Sequence, residues 1–222
     1  VIDNAANVSG TQTTAGAGTL TLTGTGGANV GSTHQGVQVT NNGVVHTQVG
    51  NASITGTAGV LGNASTGIEV SAGGNVISAG NGAIVLIGTG GNGAGGTGIG
   101  ILVDSARVAS TGGGAGNVTF TGTGGTNAGA ANSGIVIRNA GNVAVLGAAK
   151  LDLTGNAGTG TGAAGTYGIL VTDANTTVSV VNGNLTMAGN AQPGTGAGAT
   201  VVGVGFNGSA LVTSTGTGNV VI

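Results

Sequence analysis

The chain has 222 residues, of which 53 are glycine and none is cysteine or tryptophan. Only 4% of the residues are charged and the formal net charge is −2, so the basic surface that nucleic acids require is excluded. Short apolar runs broken by Gly, Thr and Asn leave no stretch of about 20 apolar residues that could cross a membrane as a helix. The sequence also lacks the regular Gly spacing and abundant Pro of collagen, so its β-branched runs favour a folded chain of strands.

One short phrase, apolar-x-apolar-x-Gly, recurs along the whole chain and predicts a strand that we call strand A. Its closing glycines are 32 to 34 residues apart, and a period of this size indicates stacked repeats. Alternation places the apolar positions of the phrase on one face of the strand. The first inward column is Leu20, Ala52, Ile84, Val118, Leu151 and Leu185. The second, which we predict to be the core ladder, is Leu22, Ile54, Leu86, Phe120, Leu153 and Met187.

Two further strands follow in each period. Strand B reads Gly-apolar-x-apolar, as in Gly134-Ile-Val-Ile137. Strand C is shorter and centres on a single apolar residue, namely Val45, Val76, Val108, Val143, Val178 and Leu211 in successive periods. Three strands that each stack on their counterparts make a parallel β-helix. We predict one all-β domain over residues 1–222, with three strands per coil, about seven coils of 31–35 residues and right-handed winding by the crossover rule.

The two ends of the sequence carry apolar residues where a solenoid ordinarily has a cap. The chain opens on Val1-Ile2 and closes on Val220-Val221-Ile222, without a charge cluster or a proline. Bare terminal coils would expose apolar side chains and unpaired strand edges. We therefore expect either further coils of a longer protein or end-to-end stacking of subunits, and an extended fibre in both cases.

Charged residues and histidines give little support for catalysis. Asp104 and Asp173 follow strand B two coils apart, and the register predicts that Arg138, on the coil between them, stacks on Asp104. These residues form either a small charged site or a surface charge ladder, and we favour the ladder. His34 and His46 have no cysteine or nearby carboxylate to complete a metal site. We predict no enzymatic activity, no catalytic or metal-binding residue and no cofactor.

Hydroxyl side chains dominate the outward positions of strand A and form two columns. Regular Thr columns on flat β-helices resemble those of ice-binding proteins. Val85, Ile87 and Ala188 interrupt the columns, and Thr is also a favourable outward residue in any strand. A face that binds ice or glycans is therefore the alternative function. Its candidate residues are Thr21, Thr23, Thr55, Thr119, Thr121 and Thr154.

An apolar column lies on the outward side of strand B. Leu102, Val136 and Leu170 align there on consecutive coils and predict an exposed stripe. Such a stripe on a protein surface indicates a contact surface. The alternative is that the long Gly-rich segment between strands A and B covers these three residues.

Asn-x-Ser/Thr sequons are slightly more frequent than composition predicts. The candidate glycosylation sites are Asn7, Asn51, Asn63, Asn117, Asn175, Asn184 and Asn207. An asparagine that precedes a strand is equally a turn residue, so both interpretations stay open at these positions.

Phrases such as Asn117-Val-Thr-Phe-Thr-Gly122 and Ser133-Gly-Ile-Val-Ile137 resemble the β-helical repeats of bacterial surface proteins. These include filamentous-haemagglutinin-type adhesins, which have a shorter period, autotransporter passenger stalks and giant β-strand-repeat proteins. The resemblance implies secretion, display at the cell surface, and adhesion or matrix building. We thus predict a structural extracellular β-solenoid, either a fibril-forming subunit or a stalk segment of a giant adhesin. Its expected partners are further coils, copies of itself or glycans, without nucleic acid and without membrane insertion.

Overall fold

The structure is a computed structural model that describes residues 1–10, 18–28, 33–93, 96–114, 116–126, 131–160, 165–192 and 200–222. These residues contain twenty β-strands and no helix, and the strands form three parallel sheets that we name after their strand types. Sheet A contains β2 (Leu20–Thr25), β5 (Ala52–Thr57), β8 (Ile84–Thr89), β11 (Val118–Thr123), β14 (Leu151–Asn156), β17 (Leu185–Asn190) and β20 (Val220–Val221).

The other two sheets contain the strands predicted as types B and C. Sheet B contains β3 (Val37–Val39), β6 (Ala64–Ser71), β9 (Thr97–Asp104), β12 (Ile135–Arg138), β15 (Thr166–Val171) and β18 (Val201–Phe206). Sheet C contains β1 (Asn7–Gly10), β4 (Val44–Thr47), β7 (Asn75–Ser78), β10 (Arg107–Ser110), β13 (Asn142–Val145), β16 (Thr177–Val181) and β19 (Leu211–Thr215). The predicted parallel β-solenoid with three strands per coil is confirmed, while its right-handed winding stays a prediction.

The number of complete coils is slightly smaller than expected. Strands β3 to β17 make five coils that have a neighbour on each side. The first coil joins sheet B only through a bridge between Ile2 and Val39, and the last coil ends in the two-residue β20. The prediction of about seven coils was therefore too high, because the structure has five full coils and a partial coil at each end.

The core runs along the axis of the solenoid between the three sheets. Each strand pairs with its counterpart on the next coil, so equivalent side chains stack in columns, as Phe120 does between Leu86 and Leu153. These three residues are at most 1% exposed. The predicted core ladder is confirmed, with Ile54 and Met187 also buried and Leu22 half-buried in the first coil.

The predicted centre of strand C in the last coil was wrong by one residue. Leu211 pairs with Thr177 on the outer face and is 54% exposed, whereas Val212 pairs with Val178 and packs against the core. The two residues are adjacent and both apolar, so the sequence pattern did not distinguish them. A shift of one residue moves a side chain to the opposite face of a strand.

Glycines mark the line where sheets A and B meet. A Cβ atom at Gly122 would overlap the carbonyl oxygen of Gly134, and one at Gly88 would overlap the carbonyl oxygen of Gly100. The glycine that closes strand A therefore faces the glycine that opens strand B. Only a residue without a side chain permits this approach of two backbones, which explains why both phrases contain glycine.

Candidate functional site

The outer side of sheet A carries the predicted hydroxyl columns in register. Thr119 lies between Val85 and Asp152, and Thr121 lies between Ile87 and Thr154. Ile87 is 42% exposed, so the predicted interruption is an apolar side chain on the surface of the face. Thr21 and Thr23 are exposed, and Thr55, Thr119, Thr121 and Thr154 are half-buried beside their neighbours on adjacent strands.

A third polar column, which the sequence analysis missed, completes this face. It contains the residue that follows each closing glycine, and the register aligns all six of these residues. Its members are Thr25, Thr57, Thr89, Thr123, Asn156 and Asn190. Five of them are exposed, and the amide Nδ2 of Asn190 donates to Oδ1 of Asn156 at 2.7 Å. The signal was present in the sequence as Thr or Asn directly after the glycine of every phrase.

We call the outward residues of strand A, including this third column, the hydroxyl face. Neighbouring strands are about 4.8 Å apart and alternate residues of a strand about 7 Å apart, so the side chains occupy a regular two-dimensional grid. Each threonine hydroxyl both donates and accepts hydrogen bonds. The face can therefore bind an ordered layer of water or the hydroxyl groups of a sugar.

The apolar column on the outside of sheet B is aligned as predicted but is not exposed. Leu102, Val136 and Leu170 stack in register. Leu102 is 6% exposed and Val136 is 4% exposed, and together with Ile99 they form a second apolar cluster against which Leu170 packs. The prediction of an exposed stripe was wrong. Parts of the A–B segment that could cover it, residues 94–95, 127–130 and 161–164, lie outside the described residues.

A groove of about 330 Å³ runs along the outside of sheet B beside this cluster. Its floor includes Leu102 and Val136, and polar side chains line it towards both ends. At one end the carboxylate of Glu69 accepts a hydrogen bond of 2.9 Å from the amide of Gln35. Tyr167 lines the opposite end. The groove combines an apolar floor with polar walls but holds no arrangement of a nucleophile and a base among its described residues.

The predicted stacking of Arg138 on Asp104 is confirmed, whereas Asp173 contacts the residue that follows Arg138. Nε of Arg138 contacts Oδ2 of Asp104 at 2.7 Å, and these side chains are 41% and 20% exposed. Nδ2 of Asn139 donates to the same carboxylate at 3.0 Å. Asp173 lies two residues after Val171, the partner of Ile137, and accepts from the backbone N–H of Asn139 at 3.3 Å. Each carboxylate thus caps groups of a neighbouring coil.

The two histidines lie on different parts of the coil. His46 is a half-buried residue on the outer face of sheet C, and His34 is 9% exposed and follows the A–B segment. Within the described ranges, no group of three His, Cys, Asp or Glu side chains is placed to hold a metal ion.

All seven sequon asparagines have exposed positions. Three of them also stabilise the corner that precedes strand A. Oδ1 of Asn51, Asn117 and Asn184 accepts a hydrogen bond from a backbone N–H of the next coil, at 2.9, 2.9 and 3.1 Å respectively. The turn interpretation therefore applies to these three positions, and glycosylation stays a prediction at all seven.

Comparison of the chain with family models, with curated proteins and with solved structures found no match. In the part of the chain that the structure describes, no helix is long and apolar enough to span a membrane.

Proposed function

We propose that the protein is a structural extracellular β-solenoid that forms part of a fibre, either as a fibril subunit or as a stalk segment of a large surface adhesin. Its role would be mechanical, through continuous strand ladders around an apolar core. No residue with a catalytic role belongs to this proposal.

The observation that carries the proposal is the common register of the coils. All three sheets stack coil on coil in parallel, with equivalent residues paired from the first strand to the last. The strand edges that one coil offers to the next are therefore the same along the whole solenoid. Such an arrangement is extended by simple addition, and its stability grows with each new interface.

The last coil offers the surface on which a further coil would pack. Phe206 is 43% exposed, whereas Val171, which it stacks on, is 0% exposed. Val220 is 41% exposed, whereas its partner Leu185 is 0% exposed. A following coil would cover these inward side chains and pair the open strand edges. The proposal is the same whether that coil belongs to the same polypeptide or to another copy.

Electron microscopy and diffraction of the native material test the proposal. We expect a long thin fibre with a meridional repeat of about 4.8 Å, the spacing between stacked strands. In the 222-residue chain, Phe206→Asp should abolish end-to-end association because it places a charge on the packing surface, while Thr213→Asp on the outer face of β19 should not. Discrete particles about 33 Å long, seven strand spacings, would contradict the proposal.

The second candidate function is binding of ice or of a glycan by the hydroxyl face. The specific observation in its favour is the third column, which places Thr or Asn at an outward position of every A strand from β2 to β17. A regular grid of hydroxyl and amide groups is complementary to an ordered water layer and to sugar hydroxyls.

Thermal hysteresis, inhibition of ice recrystallisation and binding to a glycan array test this second function. Thr121→Lys places a long charged side chain at the middle of the hydroxyl face and should abolish activity. Ser179→Lys, on the outer face of sheet C, is the matched control and should preserve it. Absence of all three activities in the unmodified chain would reject this candidate.

A further inference from the structure

Three hydroxyl side chains stack inside the solenoid, where the other inward columns are apolar. Thr47, Ser78 and Ser110 end strands β4, β7 and β10 and pair with one another in register. They are at most 1% exposed, and none of their hydroxyl oxygens has a hydrogen-bond partner in the protein. Three adjacent orphaned hydroxyls are unusual, because an unpaired buried polar group costs about 1–3 kcal/mol.

The same column continues with valine in the later coils. Val145 pairs with Ser110, and Val180 pairs with Val145, and both valines are 0% exposed. Serine has one γ atom where valine has two, so each serine leaves room for about one methyl group at a position that valine fills. Room of this size beside a polar atom is close to what a single water molecule needs.

The last member of the column shows which backbone group can satisfy a hydroxyl at this corner. Oγ of Ser214, which pairs with Val180, donates to the carbonyl oxygen of Gly218 at 3.0 Å. Gly82 follows Ser78 by four residues, as Gly218 follows Ser214, yet Ser78 makes no direct bond. A molecule that bridges the hydroxyl to the corner backbone would satisfy the hydroxyl.

We propose that the interior of the solenoid binds ordered water at Ser78 and Ser110, next to the hydroxyl of Thr47. Each water forms a hydrogen bond with a serine hydroxyl. It also forms hydrogen bonds with backbone groups of the corner between sheets C and A. The two sites lie one above the other at the ends of β7 and β10. They stop at the next coil, where Val145 occupies the same position.

A high-resolution crystal structure of the full chain tests the proposal directly. We expect a density peak within hydrogen-bonding distance of Oγ of Ser78 and of Oγ of Ser110, and no peak beside Val145 or Val180. In Ser78→Val the added methyl group fills the room, so the peak beside residue 78 should disappear while the fold is retained. Absence of peaks beside both serines in the unmodified chain would overturn the proposal.

The stability of a Ser78 variant gives an independent test, because the unfolding constant should rise if water satisfies the hydroxyl and fall if nothing does. If water satisfies the hydroxyl, Ser78→Ala leaves that water with fewer partners, and the unfolding equilibrium constant should rise about threefold to tenfold. Ser179→Ala, at an outward position of the same sheet, is the matched control and should change it less than twofold. A fall in the unfolding constant of Ser78→Ala would show that the hydroxyl was truly orphaned and would also overturn the proposal.

Discussion

The outer faces of sheet A and sheet B have the same strand geometry but differ in chemistry and in exposure. On sheet A the outward columns are hydroxyl side chains, and even the apolar Ile87 is 42% exposed. On sheet B the outward Leu102 and Val136 are at most 6% exposed and belong to an apolar cluster. An outward position in a β-solenoid is therefore not always a solvent-exposed one. Here the residue type indicates which outward positions are exposed to solvent.

The largest expected effect is at the junction of these two sheets. Gly122→Ala places a methyl group against the carbonyl oxygen of Gly134, so one sheet must shift relative to the other. We expect a loss of about 3 kcal/mol or more in the free energy of unfolding, at the upper end for overpacking. Urea denaturation measures it, with Thr123→Ala, the exposed neighbour, as control. Equal losses in the two variants would show that the glycine contact is not required.

The comparison of the two faces is tested by a pair of truncations. Leu102→Ala removes buried apolar atoms and should cost about 2–3 kcal/mol. Thr121→Ala removes a half-buried hydroxyl from the hydroxyl face and should cost about 0.5 kcal/mol or less. The midpoints of urea denaturation distinguish these values. Similar small losses for both variants would mean that the outside of sheet B is as accessible as that of sheet A.

A smaller effect is expected at the charge ladder beside sheet B. Arg138→Met removes the ion pair with Asp104, and because Arg138 is 41% exposed the loss should be about 1 kcal/mol or less. The loss should shrink in high salt, since salt screens exposed charges. Arg107→Met is the control, because no ion pair of Arg107 is found in the described residues. A loss that does not depend on salt would indicate a packing role for the Arg138 stem.

The smallest change in stability is expected on the hydroxyl face itself. Ile87→Thr extends the second hydroxyl column without interruption from β2 to β14 and should alter the free energy of unfolding by about 0.5 kcal/mol or less. Ice recrystallisation and glycan binding should strengthen if the face is a binding surface. Ile77→Thr, on the outer face of sheet C, is the matched control. Equal activity in the two variants would argue against the hydroxyl face as a ligand site.

Predictions that depended on the register between coils succeeded, and those that depended on the exact bounds or the phase of a single strand did not. The core ladder from Ile54 to Met187 and the stacking of Arg138 on Asp104 follow from register alone, and both are confirmed. Leu211 was wrong because two adjacent apolar residues do not indicate which of them faces inward. The third column of the hydroxyl face was missed because the strand was taken to end at its glycine, although each A strand from β2 to β17 includes one residue more.

The sequence by itself determined the period, the three strands of each coil and the columns of the core, because these depend on local alternation and on a repeat that stacks on itself. Only the tertiary structure decided how those columns meet. The contact between Gly122 and Gly134 joins two different sheets, and the burial of Leu102 was visible only in the folded chain. Their physical cause is the distance between backbones of separate elements, which no pattern within one strand encodes.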